Sequence, residues 1–142
     1  MDPLTAISLA SSIVQFIDYS TKLIHGAKEI YGSVTGATEE NHRLENVTAE
    51  MQTLSLKLLP RQDAQQTEDE QALSRLAAEC KILSDQILAL LKSIKPKDFN
   101  SKRQSVWAAL KSKWNEREKQ ELEERLKNCR SQLELQLNFL MM

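Results

Sequence analysis

No charged side chain occurs between Asp2 and Asp18, in a chain whose residues are otherwise 27% charged. The segment Leu4–Ile17, LTAISLASSIVQFI, must find an apolar environment, and the rest of the fold has to be arranged around that need. It does not read as a secretory signal, because Asp2 stands where a basic flank would be and no Ala-x-Ala cleavage site follows. It does not read as a lone transmembrane helix either. The uncharged run is roughly 20 Å long at 1.5 Å per residue, against ~30 Å of hydrocarbon, and Ser8, Ser11, Ser12 and Gln15 dilute it. The expectation is a cytoplasmic protein that keeps this segment as a folded helix. Asp2 suits the N-cap and Pro3 the first helical position. Leu4, Ile7, Val14, Ile17, Ile24 and Tyr31 share one face, and Leu9, Ile13, Phe16, Leu23 and Ile30 an adjacent one. The first half is thus apolar over most of its circumference, the pattern of a centrally buried helix. Gly32 and Gly36 close it.

Three further seams follow. Leu44, Val47, Met51, Leu54 and Leu58 alternate three and four apart after Thr38, Glu39 and Glu40, and stop at Pro60. Thr67 to Glu70 forms a capping box ahead of Leu73, Leu76, Cys80, Leu83, Ile87, Leu90 and Ile94, widened by Ala77, Leu88 and Leu91 and ended by Pro96. A helix starting at Asn100 or Ser101 carries Val106, Leu110 and Trp114, with Trp107 beside them. Asn115, with Glu118 three residues on, reads as a fresh cap and a break. The last seam is Leu122, Leu126, Cys129, Leu133, Leu137 and Leu140. With only 3 Gly, 3 Pro and 5% aromatics, little favours strands. The 142 residues therefore predict one all-α domain, an antiparallel bundle of four to five helices over about 3–31, 39–59, 68–95, 101–114 and 116–140. An extended coiled coil is disfavoured, since Pro60, Pro96 and the glycines near residue 36 break the chain where a bundle turns.

Nothing in the pattern points to catalysis, a metal or a cofactor. His25 and His42 have no His or Cys partner at ligand spacing, and no phosphate-binding Gly-rich loop occurs. Cys80 and Cys129 are too few and too far apart for a disulfide framework or zinc motif; both fall on apolar seam positions, as small core residues of a protein in a reducing compartment, a redox or bridging role being the alternative. The run EREKQELEERL mixes both signs as oriented i,i+4 pairs, a solvated helix face. A net charge of −1 gives no overall pull toward nucleic acid, so none is expected as a partner.

Two features carry functional content. The first is the basic stretch of Lys92, Lys95, Lys97, Lys102, Arg103, Lys111 and Lys113, interleaved with Phe99, Trp107 and Trp114. It is either a solvated loop with core aromatics or a contact for anionic lipid headgroups. The second is the opening helix. Leu4, Ile7, Leu9, Ile13, Val14, Phe16 and Ile17 are its membrane-insertion candidates. One copy is too short to span; several copies with Ser8, Ser11, Ser12 and Gln15 turned inward could satisfy their polar groups within a bilayer.

The stretch MDPLTAISLASSIVQFIDYSTKLIHGAKEIYGSVTGATEENHRLENVT, with RLAAECKILSDQILALL, WAALKSKW and RLKNCRSQLELQLNFL further on, resembles the N-terminal helical domain of fungal STAND proteins, the NLR-like receptors. The resemblance spans almost the whole chain. It implies a HeLo-like module of innate immunity, programmed cell death and heterokaryon incompatibility, with a NACHT-type NTPase domain and repeats following in the same protein. It further implies homo-oligomerisation on activation and movement from cytoplasm to the anionic lipids of the plasma membrane. The positions matching the apolar first helix of membrane-acting relatives are Leu4, Ile7, Leu9, Ile13, Val14, Phe16 and Ile17. The alternative is a helical interaction or oligomerisation module that relays a signal without touching membrane, with LELQLNFLMM as a docking end.

Overall fold

The helix-initiating residues act as their chemistry dictates. Thr67 accepts the Glu70 N–H at 3.2 Å, Ser105 accepts the Ala108 N–H at 3.0 Å, and Asn115 accepts the Glu118 N–H at 2.7 Å. The computed structural model describes residues 3–32, 36–59, 67–95, 99 and 105–140. Within them lie six helices and no strand: α1 (Pro3–Ile24), α2 (Lys28–Tyr31), α3 (Ala37–Lys57), α4 (Glu68–Ser93), α5 (Val106–Lys113) and α6 (Glu116–Leu140). The fold is an all-α helical bundle. The expected Asp2 cap and the expected stops at Pro60 and Pro96 lie outside the described residues.

Two boundaries differ from the sequence reading. The helix expected from about residue 101 begins at Val106, because Ser105 is extended and its hydroxyl caps the new helix. The first helix does not run to Tyr31 but ends at Ile24. Gly26 takes φ +68°, while the Ala27 N–H reaches the Lys22 carbonyl at 3.0 Å and the Gly26 N–H reaches Leu23 at 3.4 Å. These two bonds form a Schellman stop that satisfies the last carbonyls of α1. The apolar spacing continues across the stop, because α2 tucks Tyr31 back into the core, where its hydroxyl donates to the Leu23 carbonyl at 2.9 Å.

Four long helices form the bundle, each packed on its neighbours: α1 on α3, α4 and α6, and α4 on α3 and α6. Chain direction alternates. Asp18 pairs with Arg130 and His25 faces Glu123 at 3.5 Å, so α6 runs against α1. Tyr19 shares a hollow with Val47 and Glu50 while Leu4 and Ile7 share another with Leu56 and Leu59, so α3 also runs against α1. Ser84 donates to Ser55 at 2.8 Å between α4 and α3. The bundle therefore has two distinct ends. One holds the start of α1 and the end of α3. The other holds α2, the end of α4, and α5.

The core contains the seams as read: Val47, Met51, Leu54 and Leu58; Leu73, Leu76, Cys80, Leu83, Ile87, Leu91 and Ile94; Leu122, Leu126, Cys129 and Leu133. Leu44, Leu90 and Leu137 are half-buried at its edge. One charged residue joins them. Glu40 is fully buried, paired with Arg43, and accepts the Val106 N–H at 2.9 Å. A carboxylate on α3 thus caps the start of α5, a favourable use of the positive helix end.

Candidate functional site

The first helix divides its apolar residues between two environments. Ala6, Leu9, Ala10, Ile13, Phe16 and Ile17 are buried against the other three long helices. Leu4, Ile7 and Val14 are not: they are 80%, 63% and 38% exposed. The near-complete burial expected from the sequence is corrected here. Three neighbours cover only one side of α1, and among the described residues Leu4, Ile7 and Val14 on the opposite side stay exposed. That outer side is polar further on, where Asp18 pairs with Arg130 and Lys22 with Glu29 at 2.9 Å. Its first half is uncharged.

The exposed residues are not isolated. Leu56 and Leu59, 58% and 53% exposed, stand at the end of α3 beside them. With Leu4, Ile7, Ser8, Ser11, Ser12, Gln15 and Lys57 they line a groove of about 720 Å³ between α1 and the end of α3, a groove that Val14 does not line. Serines in this wall do not leave the helix backbone short of partners. Ser12 Oγ is nearly buried and donates to the Ser8 carbonyl at 3.0 Å, one turn back along its own helix. The groove therefore offers aliphatic side chains, serines and one lysine, Lys57. Single exposed leucines are ordinary, but four exposed aliphatic residues around one groove mark a contact surface.

Of the seven insertion candidates, the structure puts Leu4, Ile7 and Val14 outside and Leu9, Ile13, Phe16 and Ile17 inside. Leu56 and Leu59 were missed by the sequence reading. Their signal was there: both are leucines off the Leu54–Leu58 seam, in the last turn before Pro60.

The basic stretch is elsewhere. Lys92, Lys95, Lys111 and Lys113 are exposed, while Lys97, Lys102 and Arg103 lie outside the described residues. Since α4 runs parallel to α1 and α5 follows its end, these lysines occupy the end of the bundle opposite to Leu4 and Leu59. The interleaved aromatics face inward. Phe99 and Trp114 are buried. Trp107 packs on Tyr31, with ring centroids 5.3 Å apart, and lies under the Lys119 ammonium at 5.8 Å. Lysines and aromatics therefore do not form one phosphate-stacking surface, and the apolar cluster and the lysines cannot both face one flat membrane while the bundle stays closed.

His25 is exposed beside Glu123. His42 lies on a hollow of about 640 Å³ among Tyr19, Glu39 and Glu50, with Glu45 at 3.9 Å. Among the described residues no group of three His, Cys, Asp or Glu side chains could hold a metal ion. Among them, too, no helix is long and apolar enough to cross a membrane. Comparisons with protein-family models, with curated proteins and with solved structures find no match.

Proposed function

We propose that this chain is the N-terminal effector or signalling module of an NLR-like receptor of the fungal type, and that it works without catalysis through the outer face of its first helix. The observation that supports this most is the exposed aliphatic cluster of Leu4 and Ile7 on α1 with Leu56 on α3 and Leu59 just beyond it, and Val14 exposed further along α1. It is exposed in the closed bundle, so contact through it needs no prior unfolding. On this reading, a NACHT-type NTPase domain in the same full-length protein gathers copies into an oligomer, and the gathered clusters engage anionic plasma membrane. One cluster buries too little to anchor a protein irreversibly, whereas several linked clusters add their affinities. Insertion of Leu9, Ile13, Phe16 and Ile17 would be a second step, since these must leave the core.

The test uses vesicles rich in anionic lipid and the chain brought together by a fused, inducible oligomeriser. Wild type should release trapped dye, and Ile7→Glu should lose that release while remaining folded. A folded, oligomerised wild type that neither binds nor permeabilises such vesicles would sink the proposal, as would Ile7→Glu acting like wild type. A second reading draws on the shape of the surface. A groove between two helices, rather than a flat patch, also suits an apolar helix of a signalling partner. It predicts saturable binding to a helical peptide that Ile7→Glu abolishes, with no vesicle release.

A further inference from the structure

Cys80 and Cys129 lie far apart in sequence and meet between α4 and α6. Both are free thiols, 0% and 2% exposed, at facing seam positions. The neighbouring Cys129 sulfur holds the proton on the Cys80 thiol, and burial adds to that. The same pairing favours the thiolate at Cys129 against burial and the nearby Glu79 carboxylate, with Arg125 helping. One residue before Cys80, Glu79 Oε1 accepts both Nε and a terminal nitrogen of Arg125, at 3.2 and 2.7 Å. Arg125 is one turn before Cys129, so this fork ties α4 to α6 beside the two cysteines. Cys129, unlike Cys80, also lines an open groove of about 510 Å³ between the two helices, walled by Glu79, Arg125 and Gln132.

We propose that this pair is an oxidation site: Cys129 is the reacting sulfur, Cys80 resolves it, and a disulfide then joins α4 to α6. The oxidant is hydrogen peroxide, small enough to enter the groove. The Cys129 thiolate attacks one peroxide oxygen and the O–O bond breaks. Cys129 sulfenic acid forms, and the departing hydroxide takes up a proton to leave as water. Cys80 then attacks the sulfenic sulfur, gives up its proton, and the S–O bond breaks to release a second water. Two thiols lose two electrons and two protons, and the peroxide is reduced to two waters. Closing a loop of roughly 50 residues should raise the melting temperature by about 10 °C. Because α1 packs on both α4 and α6, the oxidised bundle would hold its first helix more firmly.

The experiment treats the full wild-type chain with peroxide under native conditions, then maps peptides by mass without reductant. The expected result is a monomer lighter by two hydrogens, with the peptide of Cys80 linked to that of Cys129, a higher melting temperature, and reversal by a dithiol. Cys80→Ser should stop at a sulfenic acid on Cys129 that a cyclic dione traps. Native wild type with no linked peptide overturns the proposal, and so does a disulfide formed only between chains. Trapping of Cys80 in Cys129→Ser at the rate seen for Cys129 would overturn the assigned roles.

Discussion

Replacing Ile7 and Ile13 separately by Glu tests whether α1 truly has an inner and an outer side. Both are isoleucines in one uncharged helix, six residues apart, and sequence alone makes them equivalent. Full burial of such a side chain stabilises a fold by ~1.5–3 kcal/mol. Ile7 is 63% exposed, so only about a third of that, ~0.5–1 kcal/mol, is at stake. Glu has a somewhat better helix propensity than Ile, which offsets part of the loss. Ile7→Glu should therefore cost less than about 1 kcal/mol. Ile13 is fully buried. Ile13→Glu loses the whole transfer term and places an unpaired carboxylate in the core, a further ~3–5 kcal/mol. The sum matches or exceeds the lower part of the ~5–15 kcal/mol by which domains are stable. Urea unfolding followed by helical circular dichroism reads both variants against wild type. Ile7→Glu should unfold at nearly the wild-type midpoint, and Ile13→Glu should be largely unfolded without urea. Loss of more than about 3 kcal/mol in Ile7→Glu would refute the exposed face, because a mostly solvated side chain has no such energy to lose.

Gly26→Ala should destabilise the chain by about 2 kcal/mol or more and shift tryptophan emission: φ of +68° disfavours a Cβ, and that Cβ would stand 2.7 Å from Trp107 Cε2. Glu40→Ala removes the partner of Arg43 and the acceptor of the Val106 N–H. It should cost ~3–5 kcal/mol and speed hydrogen exchange at the start of α5. Alkaline pH should weaken the fold. Burial, with help from Glu50, pushes the Tyr19 hydroxyl up from 10.0 to about 12, and burial also raises Tyr31. The unfolded chain then loses these protons first, so the stability present below pH 10 falls as pH climbs from 10 toward 12. Melting temperatures across that range check it; a flat profile would contradict it. Replacing Lys92 and Lys95 by Gln should leave vesicle release by the oligomerised chain nearly unchanged, since they sit at the far end from Leu4; a large loss would place the lipid contact there instead.

Local chemistry was legible in the sequence where it is enforced locally. Thr67 and Asn115 announce their helices because a side-chain oxygen three residues before a free N–H satisfies it without outside help. The seams around Met51, Ile87 and Leu126 were legible because a bundle buries one stripe per helix. The stop at Gly26 was not, since Leu23, Ile24, Ile30 and Tyr31 keep their spacing through it, and spacing cannot tell a bent path from a straight one. The division of α1 was not legible either. Leu4 and Leu9 have the same chemistry, and only the count and placement of neighbouring helices decides which one water reaches. Topology likewise separates the lysines from the apolar end. Glu40 looks like an ordinary acid in a first turn; nothing near it in sequence tells of Val106.

Depth-dependent quenching of an environment-sensitive fluorophore attached at position 7 tests the central claim most directly, using the oligomerised chain on anionic vesicles with quenchers fixed at several depths in the bilayer. The account predicts a blue-shifted emission quenched most by lipids labelled in their acyl chains, and the same probe on exposed Lys92 remaining as in water. A probe at position 7 that stays fully hydrated while the chain binds and permeabilises the vesicles would contradict the claim that α1 makes the contact.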